Sequence, residues 1–290
     1  MSLVKADAGG HASDAGASAL RRRDVSGACI DALRPSGWRL GKVSRWGHQS
    51  RTCQIWRSLP GSPRTFEVAW LKRYKRSAAG EPHPALAREL WALRLLCGLD
   101  VPRCLETLAL AEEDALILSE VRGETLRHVR LEPAEAHALL AALLRMLCFL
   151  HQRGVAHGDL NLNNVLVRER HATMWRIALV DFGSALSAPA LPPQVGEVPA
   201  APAHAAPERL GLQPGLTAAH ADLYSAGSLV RKLLRMSTEA PNAAAQRAGS
   251  PPTRAGDGHL DGFVARLTHP DPRARFVSAV AALEALRAAN

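Results

Sequence analysis

The run His157-Gly158-Asp159-Leu160-Asn161-Leu162-Asn163-Asn164 sets a carboxylate, Asp159, five residues ahead of a carboxamide, Asn164. A second carboxylate, Asp181, opens the run Asp181-Phe182-Gly183 further along, and each run adjoins an apolar, strand-like stretch. Phosphoryl transfer needs such parts: a carboxylate to orient the attacking hydroxyl, and oxygen ligands that hold Mg²⁺ against the phosphates. The glycine after Asp181-Phe182 turns the chain at the strand end. A lone Asp-Phe-Gly arises often by chance at such a turn, whereas the pair in this order and at this spacing is a specific signal.

Short strands must carry the residues ahead of these runs. From Trp38 onward strand-like segments alternate with turn residues: Trp38 to Trp46, Thr52 to Ser58, a connection Leu59 to Pro63, then Thr65 to Tyr74. A helix is expected from Pro84 to Cys97, with Leu86, Leu90, Leu93 and Leu96 as its buried stripe and Glu89 flanking it. Two more strands follow, Thr107 to Ala111 and Ala115 to Val121, before Gly123. Pro133 to Arg153 then reads as a helix, with a proline in its first turn and Glu132 and Glu135 near its start, where the macrodipole favours negative charge. Asp222 to Met236, Leu260 to Leu267 and Val277 to Ala289 are further helices, separated by a Pro-, Ala- and Gly-rich stretch, Ser237 to Gly258, expected to be flexible.

At 290 residues and 47% hydrophobic the chain can bury a large core, slightly more than one usual single-core unit. The net charge of +9 includes the clusters Arg21 to Arg23 and Lys72 to Arg76, but no aromatic-interleaved basic strand accompanies them. A solvated basic face is the plainer reading, and no nucleic-acid partner is expected. Five cysteines without a Cys-x-x-Cys pair indicate neither a disulfide framework nor a zinc site. The longest apolar stretch, Ala138 to Leu150, is broken by Arg145 and too short to span a bilayer, and no apolar leader precedes it, so a soluble, cytoplasmic protein without a transmembrane segment is expected.

Over roughly residues 38 to 288 the sequence resembles the protein-kinase superfamily. The loop matches His-Arg-Asp-Leu-x-x-x-Asn, Ala206-Pro207-Glu208 matches the end of the activation segment, Asp222-Leu223-Tyr224-Ser225-Ala226-Gly227 the start of the central large-lobe helix, and Arg275 the last motif. The resemblance implies an α+β, two-lobed protein-kinase-like fold: a small antiparallel β lobe with one helix (37–121) and a larger helical lobe (122–290), with ATP and Mg²⁺ in the cleft. Residues 1–36, rich in Ala, Gly, Ser, Asp and Arg, are expected to be a flexible N-terminal extension outside that fold. By resemblance, Asp159 is the catalytic base, Asn164 and Asp181 are metal ligands, and Lys72 grips the α- and β-phosphates while pairing with Glu89; Lys75 is the nearby alternative. Leu118, Ser119 and Val121 match the hinge that meets adenine, Leu118 guarding the back pocket, and Gly47 is the glycine of the phosphate-covering loop. Glu208 and Arg275 are expected to form a buried ion pair.

Several positions depart from the family pattern. Trp70 stands where a small alanine usually lies over the adenine, and Gly47 is the one glycine at the presumed tip of Ser44 to Arg51, where Arg45 or Arg51 could compensate. The loop's usual arginine is Gly158, its lysine is Asn161, and Ala201 replaces the threonine expected before Ala-Pro-Glu. The resemblance implies an ATP- and Mg-dependent serine/threonine protein kinase acting on a protein hydroxyl. Asn161 keeps open a small-molecule or lipopolysaccharide-sugar kinase, and Trp70 with the poor glycine loop keeps open a pseudokinase scaffold.

Overall fold

The computed structural model describes residues 3–5, 25–46, 50–189, 205–210, 217–245 and 258–289. The chain divides into two compact units, one of residues 1–97 with 102–122, the other of residues 98–101 with 123–290. Gly47 and Ala201 lie outside the described residues.

The first unit is built on an antiparallel sheet of β1 (Leu3–Lys5), β2 (Arg39–Trp46), β3 (Arg51–Leu59), β4 (Ser62–Lys75), β5 (Cys104–Ala109) and β6 (Glu113–Ser119), ordered β2-β3-β4-β6-β5 with β1 also pairing β4. Its β-branched and aromatic strands alternate, so each face of the sheet is lined from every second position. One face presents Cys53 and Ile55 from β3, Ala69 and Leu71 from β4, and Ala115 and Ile117 from β6. Helix α1 (Gly27–Leu33) covers it with Cys29 and Leu33, assisted by Val25 and Trp38. Ser26 caps α1 by accepting from the Cys29 amide.

This corrects the reading of residues 25–36 as part of a flexible extension, since a helix precedes the expected start of the small lobe at residue 37. Small and polar composition hid an i, i+4 apolar pair, Cys29 and Leu33, that has a sheet face to cover. The second helix, α2 (Pro84–Leu95), belongs to the same unit and starts with Pro84 behind His83, whose ring nitrogen accepts from the Ala85 amide.

In the second unit, α3 (Ala136–Gln152) is apolar almost all round, and Leu139, Leu140, Leu144, Leu147 and Leu150 are fully buried. The α4 (Ala218–Ala245) and α6 (Ala279–Ala288) helices pack against it, and α5 (Gly258–Leu267) packs on α4. A single turn, Pro133–Glu135, precedes α3, and the Glu135 side chain accepts there from the Glu132 amide. Pro133–Gln152 is therefore, among the described residues, the one helix long and apolar enough to cross a membrane, longer than the apolar stretch read from sequence; 67% of its most apolar window is buried in the unit, as in a core helix. The central helix expected to end at Met236 runs on to Ala245, so the beginning of the stretch expected to be flexible is helical.

Short strands flank the two acidic runs of this unit. The hairpin β9 (Val165–Arg170) and β10 (Trp175–Leu179) is extended by β7 (Glu124–Thr125), and β8 (Val155–Ala156) pairs with β11 (Leu186–Ser187). Asp159 to Asn164 lies just ahead of β9 and Asp181 just behind β10. Because Val165 is opposite Leu179 in the antiparallel register, the hairpin brings the two runs side by side. Residues 98–101 are tied to the same hairpin: the Leu179 amide donates to the Asp100 carbonyl, and Arg176 Nε lies 2.9 Å from Asp100 Oδ2.

Candidate active site

In the first unit the register places Lys72 of β4 between Thr52 of β3 and Leu116 of β6. Its ammonium lies 2.6 Å from Glu89 Oε2, and both side chains are buried, whereas Lys75 at the strand end is exposed. Burying two charges costs several kcal/mol each unless geometry and further hydrogen bonds compensate. The Tyr74 hydroxyl donates to the same Glu89 oxygen, and Lys72 Nζ lies 5.4 Å from the Tyr74 ring centroid.

Glu89 does not flank the buried stripe of α2, as the leucine spacing predicts, but stands at its centre. Ala85, Glu89, Ala92, Leu93 and Leu96 face inward, while Leu86 and Leu90 are half-buried. The helix is rotated because its carboxylate has cationic and phenolic partners inside, an attraction that apolar periodicity cannot register.

The other positions read from sequence in this unit lie on β4 or toward and beyond the end of β6. Trp70, on the same strand face, is half-buried and opposite Gln54 and Leu118 in register. Leu118 is buried near the end of β6. Ser119 is held by Arg103 at two points: its amide donates to the Arg103 carbonyl (2.8 Å), and its hydroxyl accepts from the Arg103 amide (2.9 Å). Val121, beyond the strand, is half-buried.

In the second unit the loop is held from below by Asp222 on α4. Its buried carboxylate accepts from the His157 amide (2.8 Å), the Gly158 amide (3.0 Å) and His151 Nε2 (3.0 Å). Burial pushes the Asp222 carboxyl up, but the His151 hydrogen bond, the charges of His151 and His157 and the Gly158 amide outweigh it and hold it below the usual carboxylate range. His157 accepts at Nδ1 from the Asp159 amide and meets the Val180 carbonyl through Nε2, its ring packed 4.8 Å from that of Phe182.

Asp159 Oδ2 accepts from Asn161 Nδ2 (3.1 Å) and Asn164 Nδ2 (3.3 Å), and both carboxamides also donate to the Asp159 carbonyl. Asn161 Oδ1 in turn accepts from the Asn163 amide. The carboxylate is thereby aimed by two neutral donors. Val180, next to Asp181, donates its amide to the Asn164 carbonyl while its own carbonyl meets His157. Both ends of the loop are thus fixed against the residue that precedes Asp181.

Asp181 is exposed and, among the described residues, is the one non-glycine residue with a positive φ (66°). Such a conformation costs of order 1–3 kcal/mol and persists where surroundings impose it, often at functional sites. Here Phe182, fully buried, anchors the turn, and the Gly183 amide donates to Asp181 Oδ1.

These groups suit a hard divalent cation. Asn164 directs its amide nitrogen at Asp159, which turns its oxygen the other way, and Asp181 offers an exposed carboxylate. Among the described residues no group of three or more His, Cys, Asp or Glu could hold a metal ion. Two oxygen ligands, with phosphate and water completing the shell, match the way Mg²⁺ is bound far better than a dedicated protein cage would.

Beyond the loop, Glu208 and Arg275 pair in bidentate fashion (2.6 and 2.9 Å) with both side chains fully buried. Arg275 spends its remaining donors on the carbonyls of His269, His220 and Pro270, which satisfies the guanidinium. Arg209, which follows Glu208 in the chain, donates from Nη2 to the Gly158 carbonyl (2.8 Å). Sequence reasoning missed Tyr74, Arg209 and the anchoring part of Asp222. Tyr74 carried a signal, since it shares a strand face with Lys72, whereas Arg209 carried none.

Comparison with known proteins bears on this arrangement. A family model described as the protein kinase domain matches residues 65–256, more than half of the chain. The chain is similar to a putative CBL-interacting protein kinase 27 of Oryza sativa subsp. japonica, with 28% identity over 204 residues, 68% of this chain and 48% of that protein. It is similar to CBL-interacting protein kinase 16 of the same plant, at 32% over 159 residues (51% and 33%). It is also similar to the serine/threonine-protein kinase PknJ of Mycobacterium tuberculosis, at 33% over 173 residues (54% and 28%). The chain spans about half the length of these relatives or less.

Proposed function

The chain belongs to the protein kinase domain family, and on that premise we propose that it transfers the γ-phosphoryl group of ATP to a serine or threonine hydroxyl of a protein. The observation that carries this reading is the aim of Asp159, whose carboxylate is held by Asn161 and Asn164 beside the hairpin that delivers Asp181. Asp159 accepts the hydrogen of the attacking hydroxyl and orients its oxygen. Asn164 and Asp181 would hold Mg²⁺, which would supply charge neutralisation on the phosphates. Lys72, kept in place by Glu89, grips the α- and β-phosphates. A protein acceptor is supported by the Glu208–Arg275 pair, which fixes the chain immediately after Ala-Pro, and by the serine/threonine kinase name of the mycobacterial relative.

The test is incubation of the purified chain with labelled ATP, with and without Mg²⁺, against a set of protein acceptors and a set of sugars. Mg²⁺-dependent label on protein serine or threonine, lost in Asp159→Asn, is expected. Label confined to sugars would move the acceptor to small molecules, and no label above the Asp159→Asn background in any set would sink the enzymatic reading.

A further inference from the structure

We propose that Tyr74 is a positioning residue of the phosphate-gripping pair, its hydroxyl latching Glu89, and with it α2, where Glu89 holds Lys72; the inference rests on the kinase reading above. Tyr74 and Lys72 are two residues apart on β4 and therefore share the face that meets α2. Tyr74 is fully buried, and a buried phenol needs a partner for its hydroxyl. It finds Glu89 Oε2, the same oxygen that faces Lys72 Nζ. Two donors from one strand thus converge on one carboxylate oxygen of the helix.

The ring is held as well as the hydroxyl. The His83 ring lies 5.9 Å from that of Tyr74, tilted by 32°, and His83 caps the first turn of α2. Tyr74 therefore touches α2 at its cap and at its centre. The consequence is that Glu89 stays aimed into the sheet through its own hydrogen bond to Tyr74, not through its attraction to Lys72 alone. A phenylalanine keeps the ring packing and removes only the hydrogen bond to a charged group, the kind of bond whose loss is felt most.

The experiment is a double-mutant cycle of Tyr74→Phe and Glu89→Ala in the full chain, read by MgATP affinity and by hydrogen exchange over residues 84–95. Tyr74→Phe should weaken MgATP binding about tenfold, the scale of one charge-assisted hydrogen bond, and speed exchange across α2. In the Glu89→Ala background the same substitution should change either readout less than about twofold, because the carboxylate it acts through is gone. A Tyr74→Phe protein with affinity and exchange like the parent, or effects that simply add to those of Glu89→Ala, would overturn the proposal. A parent that binds MgATP no better than Lys72→Met would overturn the kinase reading instead, and the coupling in hydrogen exchange would then decide the latch by itself.

Discussion

At Gly158 the backbone stands at φ +77°, and a Cβ there would meet the Ser184 carbonyl oxygen at 2.1 Å. The arginine that usually fills this position has no room, and Arg209 Nη2, 3.6 Å from where that Cβ would stand, brings a guanidinium to the Gly158 carbonyl. Replacing Gly158 by arginine is therefore expected to inactivate the protein, and Gly158→Ala to destabilise it by about 1–3 kcal/mol from the backbone strain alone. A denaturant melt checks the second figure, and an active, well-folded Gly158→Arg protein would contradict the geometry. Asp181→Asn is expected to abolish Mg²⁺-dependent transfer with the melt unchanged, since the side chain is exposed and carries no part of the core; undiminished turnover would remove Asp181 from the site. Arg275→Ala should cost roughly 3 kcal/mol or more, because Glu208 is then left charged in a buried place. A melting midpoint equal to the parent's would refute that.

At the scale of elements, the segment after Asp181 carries two hydroxyl residues before Ala206, Ser184 and Ser187. Ser184 is buried, and Ser187 is exposed in β11 opposite Val155, close to Asp181 in sequence. A phosphate that orders such a segment needs a cationic clamp, and the loop offers glycine where the clamping arginine would be. Activity is expected to be the same before and after phosphatase treatment, and to survive in a Ser184→Ala/Ser187→Ala double mutant; a large loss that both treatments share would point to a clamp elsewhere. The helix α1 makes its own prediction. Cys29 on its inner face and Cys53 on the sheet face it covers are pushed up to about 11, chiefly by burial. Near pH 8 a thiol reagent should modify the exposed Cys97 quickly and reach Cys29 and Cys53 only after unfolding. Rapid labelling of Cys29 in the folded protein would show that α1 does not stay on the sheet.

For the second unit as a whole, two groups near the loop set a common response to acid. His220 is lowered by burial and by the Arg275 charge, so the folded state favours its neutral form and loses stability as pH falls below about 6.5, where the unfolded side chain takes up its proton. Asp222 is held low, so its contribution is fully present above the ordinary carboxylate value and is lost as pH falls through its folded value. Both signs agree. The melting midpoint is expected to be flat near neutrality, to decline below about pH 6.5 and to drop more steeply below about pH 4; His220→Gln should shrink the first decline, to which His83, also lowered by burial, contributes, and leave the second.

The sequence by itself determined the motifs and their order along the chain. Asp159, Asn164 and Asp181 are legible because a loop and a turn of fixed length bring their functional groups together, and Lys72 because its strand precedes a helix with an acid one turn inside. The two-lobed α+β architecture was implied by the family resemblance, and the early strands and late helices agree with it. Only the tertiary structure decided which face α2 buries, because an ion pair turned Glu89 inward against the leucine spacing. It alone decided that residues 27–33 fold, because their few apolar side chains gain from burial only when a sheet face is there to cover. It alone brought Tyr74 onto Glu89 and Arg209 onto Gly158, since hydrogen bonds between residues distant in the chain leave no periodicity behind. Local pattern encodes what neighbours along the chain do to one another, and packing and charge settle what only neighbours in space can.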